Sequence, residues 1–379
     1  MASITKSKQS SIPVSFWVLA VLALLAVVLS IYRLAVGLGP TTNLSDHYPW
    51  GLWITVDLFL IPVAGAAFTI SLISYFFSRE RYHTVIRPAV IAGLIWYGVV
   101  GVLLFLDIGR WPQFYNIFNP SYINLHSFLE EVSLSISLYT LILILEAAPI
   151  VLEKWNIQQP IRWINNSIYI VSGIGILISS IHQSSLGSMF LIMSHKLHPL
   201  WWTPALPVLF FLQAGYAGLG TTAIAVTVIG RIMKLPVDRE LFRRIGQAMA
   251  INLMLYGAVR LGSWMGAGEI PLLLKPDAFG VMAWLEIIFG LFIPLAILIS
   301  KLVRHSAGPF WAGVFALIGM FINRLMISWV GLAEPGLISY IPSWIEIAIT
   351  VGLIAGGILL YGVVVRYFKL FPEASEAHS

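Results

Sequence analysis

Long apolar runs alternate with short polar, glycine-marked or proline-marked breaks from one end of this chain to the other. The runs predict helices near 13–37, 50–77, 84–107, 122–147, 162–182, 203–232, 240–264, 279–300, 308–330 and 342–367. Bilayer hydrocarbon, ~30 Å thick, takes about 20 apolar residues to cross as a helix. The pattern therefore predicts an all-α polytopic membrane protein of about ten transmembrane helices, a single membrane domain over residues 1–379. The first run, FWVLAVLALLAVVLSIYRLAVGLG, exceeds the ~7–15-residue core of a secretory signal and lacks a small-residue cleavage site, so it is read as a retained span.

A faint internal repeat organises these helices. Tyr97-Gly98 in helix 3 precedes Glu131 in helix 4, and Tyr256-Gly257 in helix 7 precedes Glu286 in helix 8. The two tyrosine-to-acid separations, 97 to 131 and 256 to 286, are similar. Helices 2–5 (50–182) and 6–9 (203–330) are expected to form two four-helix bundles, flanked by helices 1 (13–37) and 10 (342–367).

Composition sharpens the membrane reading and removes some chemistry. Hydrophobic residues make up 59% of the chain and charged ones 10%, against about 25% charged in soluble domains. There is no cysteine, which excludes disulfides and thiolate-held iron–sulfur clusters on this chain; such clusters belong to a partner. The net charge of +5 needs no nucleic acid, because membrane proteins gather Lys and Arg on cytoplasmic loops. Of 22 Lys and Arg residues, all but Arg33, Arg110, Lys196, Arg260, Lys275 and Arg324 fall on the side where the chain begins. That bias predicts both termini in the cytoplasm of a bacterial inner membrane. The opposite loops, RWPQFYNIFNPSY and KLHPLWWTP, are aromatic and proline-rich, as suits a docking surface at headgroup level.

Charge inside the membrane costs several kcal/mol and normally faces a cavity, a partner or a pathway. Counted from the predicted helix ends, Asp57 lies roughly 12 Å deep, Glu131 similarly, Glu286 about 10 Å and Arg324 about 9 Å. Asp107, Arg110, His126, His182, Arg260 and Glu346 lie nearer the same boundary. The set predicts a polar chamber in the periplasmic half, able to hold the redox headgroup of a membrane quinone and to exchange its protons. A single member such as Glu346 or Arg110 reads equally well as an interfacial charge that snorkels to water. In SFLEEVSLSISLYTLILILE, Glu131, Ser135, Tyr139 and Glu146 share one helical face, while Glu130 points about 100° away. That stripe either carries protons or joins helices by hydrogen bonds. A transmembrane haem would need paired histidines, and only His126 and His182 qualify. GLGTT at 218–222 lacks the lysine of a phosphate loop and reads as close helix packing.

The runs NLSDHYPWGLWITVD, DIGRW, FLEEV, HQSSLGS with KLHPLW, and NRLMISWVG with PSWIEI resemble the NrfD-like family of quinone-interacting membrane subunits, and within it the HybB-like branch that serves periplasm-facing nickel–iron hydrogenases. The resemblance covers roughly residues 30 to 370. It implies ten helices, no haem, menaquinone as bound substrate, and a periplasmic iron–sulfur subunit as electron-transfer partner. Iron–sulfur clusters and the nickel–iron centre would then sit only on partner subunits, the hydrogenase large and small subunits among them. By the matching motifs Asp107 and Arg110, Glu131, His182, Asn323 and Arg324 correspond to family positions, whereas His126 and Glu130 depart from the pattern. The catalytic candidates are Glu131, Asp107, Asp57 and His182. Arg110, His126, Trp111, Asp46 and His47 are candidates for holding quinone, and Glu131, Ser135, Tyr139, Glu146, Glu286 and Arg324 for passing protons. Related subunits serve other donors, molybdenum or multihaem partners among them. A proton-coupled transporter or a bare membrane anchor are the readings from other classes; no pair of interrupted helices favours the transporter.

Overall fold

A computed structural model describes residues 13–46, 48–66, 69–70, 79–124, 126–233, 239–332, 340–368 and 370. Among them there is no strand, and ten helices follow the apolar runs: α1 (Val14–Val36), α2 (Leu52–Ala64), α3 (Arg79–Asp107), α4 (Phe128–Lys154), α5 (Gln158–Ser188), α6 (Leu206–Met233), α7 (Arg239–Ala267), α8 (Ala278–Ile299), α9 (Ala307–Ser328) and α10 (Trp344–Tyr367). Eight are long and apolar enough to cross a membrane; α2 is shorter in its described part. The chain is a multi-pass membrane protein. In hydrocarbon each backbone polar group must be satisfied within its own segment, which is why these runs become helices.

Helix ends follow local chemistry. Gly37 closes α1 with φ 101°, a left-handed conformation suited to glycine, and its N–H donates to Arg33 O at 2.9 Å. Helix α10 starts with a capping box: Ser343 Oγ accepts from Glu346 N at 3.2 Å and Glu346 Oε2 from Ser343 N at 2.8 Å. Two boundaries differ from expectation. Helix α4 begins at Phe128 rather than near 122 and continues through Pro149 to Lys154, so Glu146 lies inside it and does not mark its end. Helix α5 includes the whole of HQSSLGS.

Helix α1 exposes Val21, Leu24, Val28 and Ile31 and packs along α10, where Gly352 leaves no room for a Cβ beside the α1 backbone. Neighbouring helices pair as α2 on α3, α3 on α4, α4 on α5, α5 on α6, α6 on α7 and on α9, and α8 on α9. Helix α2 also touches α6 and α9, and Trp53 through Leu58 are all buried. A helix apolar on every side belongs in the interior. It carries Asp57 there. At the far end of the bundle Arg87 and Glu153 join α3 to α4 through two bonds of 2.7 and 2.8 Å.

Candidate functional site

The ionisable groups gather toward the end of the bundle that carries a 3₁₀ helix, Trp111–Phe118. They do not share one chamber. A cavity of about 670 Å³ lies between α2, α3 and α4, beneath that 3₁₀ helix. Its polar lining is Asp57, Asp107, Trp50, Ser133 and Ser137, and the rest is apolar, including Ile54, Leu58, Phe105, Val132, Ile136 and Met189. Val102, Phe114, Phe118 and Leu129 also line it and are more than two-fifths exposed, so its mouth opens on the lipid-facing side. Apolar walls with a few placed polar groups are the usual make-up of a small-molecule site.

Asp57 is 2% exposed, and neither carboxylate oxygen has a protein partner. Asp107 Oδ1 is likewise unpartnered, and the two acids lie within electrostatic reach of each other. An unpaired buried carboxylate is costly. When ionised it accepts a hydroxyl proton; when protonated it donates to a carbonyl. Asp107 also feels Arg33 and Glu346. Arg33 is fully buried, donates from Nη2 to Ile108 O at 2.9 Å, and keeps Nε and Nη1 unpartnered. Glu346 is engaged elsewhere, accepting from Asn43 N at 3.1 Å and from the Tyr340 hydroxyl besides its cap bond. It is a buried cap, which excludes the snorkelling role.

Glu131 and His182 stand outside the cavity lining. Glu131 Oε1 accepts from Ser185 Oγ at 2.7 Å, across the α4–α5 interface. His182 is fully buried next to the Tyr97 ring, at 6.1 Å between centroids, and Tyr97 meets Tyr139 at 4.9 Å. Neither His182 nitrogen has a partner. Ser135 and Tyr139 are buried on α4, and Glu146 accepts from Ser172 Oγ of α5 at 2.6 Å. Glu130 Oε1 is also buried without a partner. Arg110, His126 and Asp46 are exposed, and none lines the cavity. Trp111 is half-buried and ties the 3₁₀ helix to α1 by donating to Leu34 O at 2.9 Å. His47 lies outside the described residues.

Glu286 and Arg324 form a separate cluster on α6–α9. The Glu286 carboxylate accepts from Trp201 Nε1 at 2.7 Å, Asn323 Nδ2 at 3.0 Å and Tyr256 Oη at 3.1 Å, with Arg260 Nη2 at 3.5 Å. Arg324 donates to Leu58 O at 3.1 Å and to Asn323 Oδ1 at 3.2 Å, and lies over the Phe210 ring. Gln213 joins this network through Asn323 and Tyr256. Arg33, Trp201 and Gln213 escaped the sequence reading as site residues; a lone glutamine in apolar α6 was the available signal. No cluster of three metal-ligating side chains occurs among the described residues.

Fold and cavity together define a multi-pass membrane protein with an apolar cavity that opens on the outer side of the bundle and holds two carboxyls. The chain belongs to the NrfD family: the family profile "Polysulphide reductase, NrfD" matches residues 40–335. It is 28% identical, over 94% of its length and 92% of the relative's, to the probable Ni/Fe-hydrogenase 2 b-type cytochrome subunit of Escherichia coli. It is 29% identical, over 91% of its length and 88% of the relative's, to the integral membrane subunit of a menaquinone reductase from Nitratidesulfovibrio vulgaris. A more distant relative, 22% identical over 87% of each chain, is the integral membrane subunit of an Hdr-like menaquinol oxidoreductase from Archaeoglobus fulgidus.

Proposed function

We propose that this chain is the quinone-reactive membrane subunit of a respiratory oxidoreductase, and that the α2–α3–α4 cavity holds the menaquinone headgroup. The observation that carries the reading is a cavity open to lipid and lined by two carboxyls that the protein leaves unpartnered. Reducing a quinone to a quinol takes two electrons and two protons, one for each ring oxygen. Electrons come from an iron–sulfur partner docked on the aromatic loops; Asp57 and Asp107 hold and hand over the protons, and Arg33 orients Asp107. Glu131, His182 and Tyr139 stand behind this pair as candidates for resupply, with Ser135, Glu146, Glu286 and Arg324 further off. Arg110, Trp111, His126 and Asp46 belong to the rim, nearer the partner than the headgroup.

The hydrogenase relative supports a nickel–iron hydrogenase as donor, with its large and small subunits; the menaquinone reductase relative supports another donor complex instead. Copurification decides between them by the metal of the largest partner. The same reading places the chain in the bacterial inner membrane with both termini cytoplasmic, and treats 50–182 and 203–330 as two four-helix bundles. We propose that it carries no haem. One relative is named a b-type cytochrome subunit, but a bis-histidine haem needs two histidines facing one site. Here His126 is exposed on the α3–α4 connection and His182 is enclosed beside Tyr97. A reduced-minus-oxidised spectrum with a b-type band would overturn this.

The cavity is tested by Leu129→Trp at its exposed mouth. The KM for a short-chain menaquinone rises at least tenfold while the complex still assembles. Unchanged KM and kcat would move the quinone elsewhere.

A further inference from the structure

A second cavity, of about 280 Å³, lies between α7 and α8, and none of its lining residues belongs to the first. Its inner wall is Tyr256, Arg260 and Glu286. The Glu286 carboxylate is already occupied by Trp201, Asn323 and Tyr256, with Arg260 Nη2 alongside. Arg260 is 4% exposed, and its Nε is the buried polar atom of this lining that lacks a protein partner. Guanidinium and carboxylate offset each other, so the wall presents unused guanidinium N–H donors, Nε among them, and little net charge. An anionic head has no surplus cation here; a neutral acceptor has a partner.

The remaining wall is aromatic and aliphatic. Trp264 and Trp284 spend their indole N–H groups on Leu200 O and Leu273 O, each at 2.9 Å, and so offer the cavity ring surface. Leu261 and Phe292, 50% and 53% exposed, form the mouth on the outer side of the bundle. Cavities for whole drug-sized ligands run from ~300 Å³ upward, so this one suits a ring or a chain segment rather than a complete lipid. Helix α8 widens here into a π turn, Ile288–Phe292, of which Gly290, Leu291 and Phe292 line the cavity, as does Ile287 just before it. Single π turns recur at functional sites. The internal repeat adds an independent argument: its first glycine, Gly98, lines the first cavity, and its second, Gly257, lines this one.

We infer that the α7–α8 cavity is a second amphiphile site, taking from the bilayer a neutral carbonyl on an apolar body, with Arg260 Nε as its donor. A quinone ring and a lipid ester both offer that carbonyl. The inference needs no step of the reaction proposed for the first cavity.

The intact complex, purified into nanodiscs of phosphatidylethanolamine and phosphatidylglycerol and equilibrated with menaquinone-4, is washed, extracted and quantified by mass spectrometry. Wild type retains two menaquinone-4 molecules per chain. Leu261→Trp, which blocks the mouth without touching the buried cluster, halves that number, and Arg260→Gln does the same. If Leu261→Trp instead sheds one tightly held phospholipid at constant quinone, the site stands and its carbonyl is a lipid ester. Equal quinone and equal phospholipid in wild type and Leu261→Trp would overturn the site. Leu129→Trp, measured in parallel, reports on the first cavity alone, so failure of either site is read separately.

Discussion

Asp57 sits in a helix enclosed on all sides, yet its two oxygens bond to nothing in the protein, and Asp107 shares its cavity. Glu131, by contrast, has Ser185 as a partner and no place in the cavity lining. The two acids therefore predict different outcomes. Asp107→Asn lowers menaquinone-linked turnover by about 10²–10⁴, the usual scale for a lost proton-transfer group. Glu131→Gln keeps an acceptor for Ser185 and lowers turnover by less than about tenfold. Steady-state rates on complexes of equal assembly check this order, and an equal fall in both variants would return Glu131 to the front. The depth of Asp57 and Asp107 was legible in the sequence. Arg33 was not: an arginine three residues before a helix end reads as a snorkelling side chain, and only the packing around α1 encloses it.

Helix α4 carries the acid–serine–tyrosine stripe that reads equally as proton wire or as helix joint. Its serines and threonine mostly bond their own backbone, with Ser133 donating to Leu129 O, Ser137 to Ser133 O and Thr140 to Ile136 O at 2.7–2.8 Å. Interhelical bonds join the stripe to α5 at Glu131 with Ser185 and at Glu146 with Ser172. Such bonds average ~0.6 kcal/mol in membranes. Glu146→Gln is accordingly expected to change unfolding stability in detergent by less than about 1 kcal/mol and to leave turnover within about twofold of wild type. A large loss of turnover with intact assembly would make the stripe a proton path. The spacing of Glu131, Ser135, Tyr139 and Glu146 placed them on one face, as helical geometry requires. What that face meets was invisible, because the partners Ser172 and Ser185 lie 26 and 54 residues away in the chain.

Across the whole molecule, the loops at the cavity end hold few basic residues and many aromatic ones. Orientation follows as a prediction. The chain has no cysteine, so single introduced thiols report without background. In right-side-out membrane vesicles an impermeant maleimide labels Gln113→Cys on the 3₁₀ helix directly and Gln159→Cys at the start of α5 only after lysis. The reverse pattern would invert the topology. The apolar runs by themselves determined which segments become helices, their order, and that eight of those described are long and apolar enough to cross lipid, since a chain in hydrocarbon must satisfy its backbone within each segment. Tertiary structure decided which charges share a space. Helical periodicity assigns a side chain to a face, and only packing sets what stands opposite. That is why ionisable groups at one depth separate into a lipid-open pair at Asp57 and Asp107, a hydrogen-bonded network around Glu286, and a buried cap at Glu346.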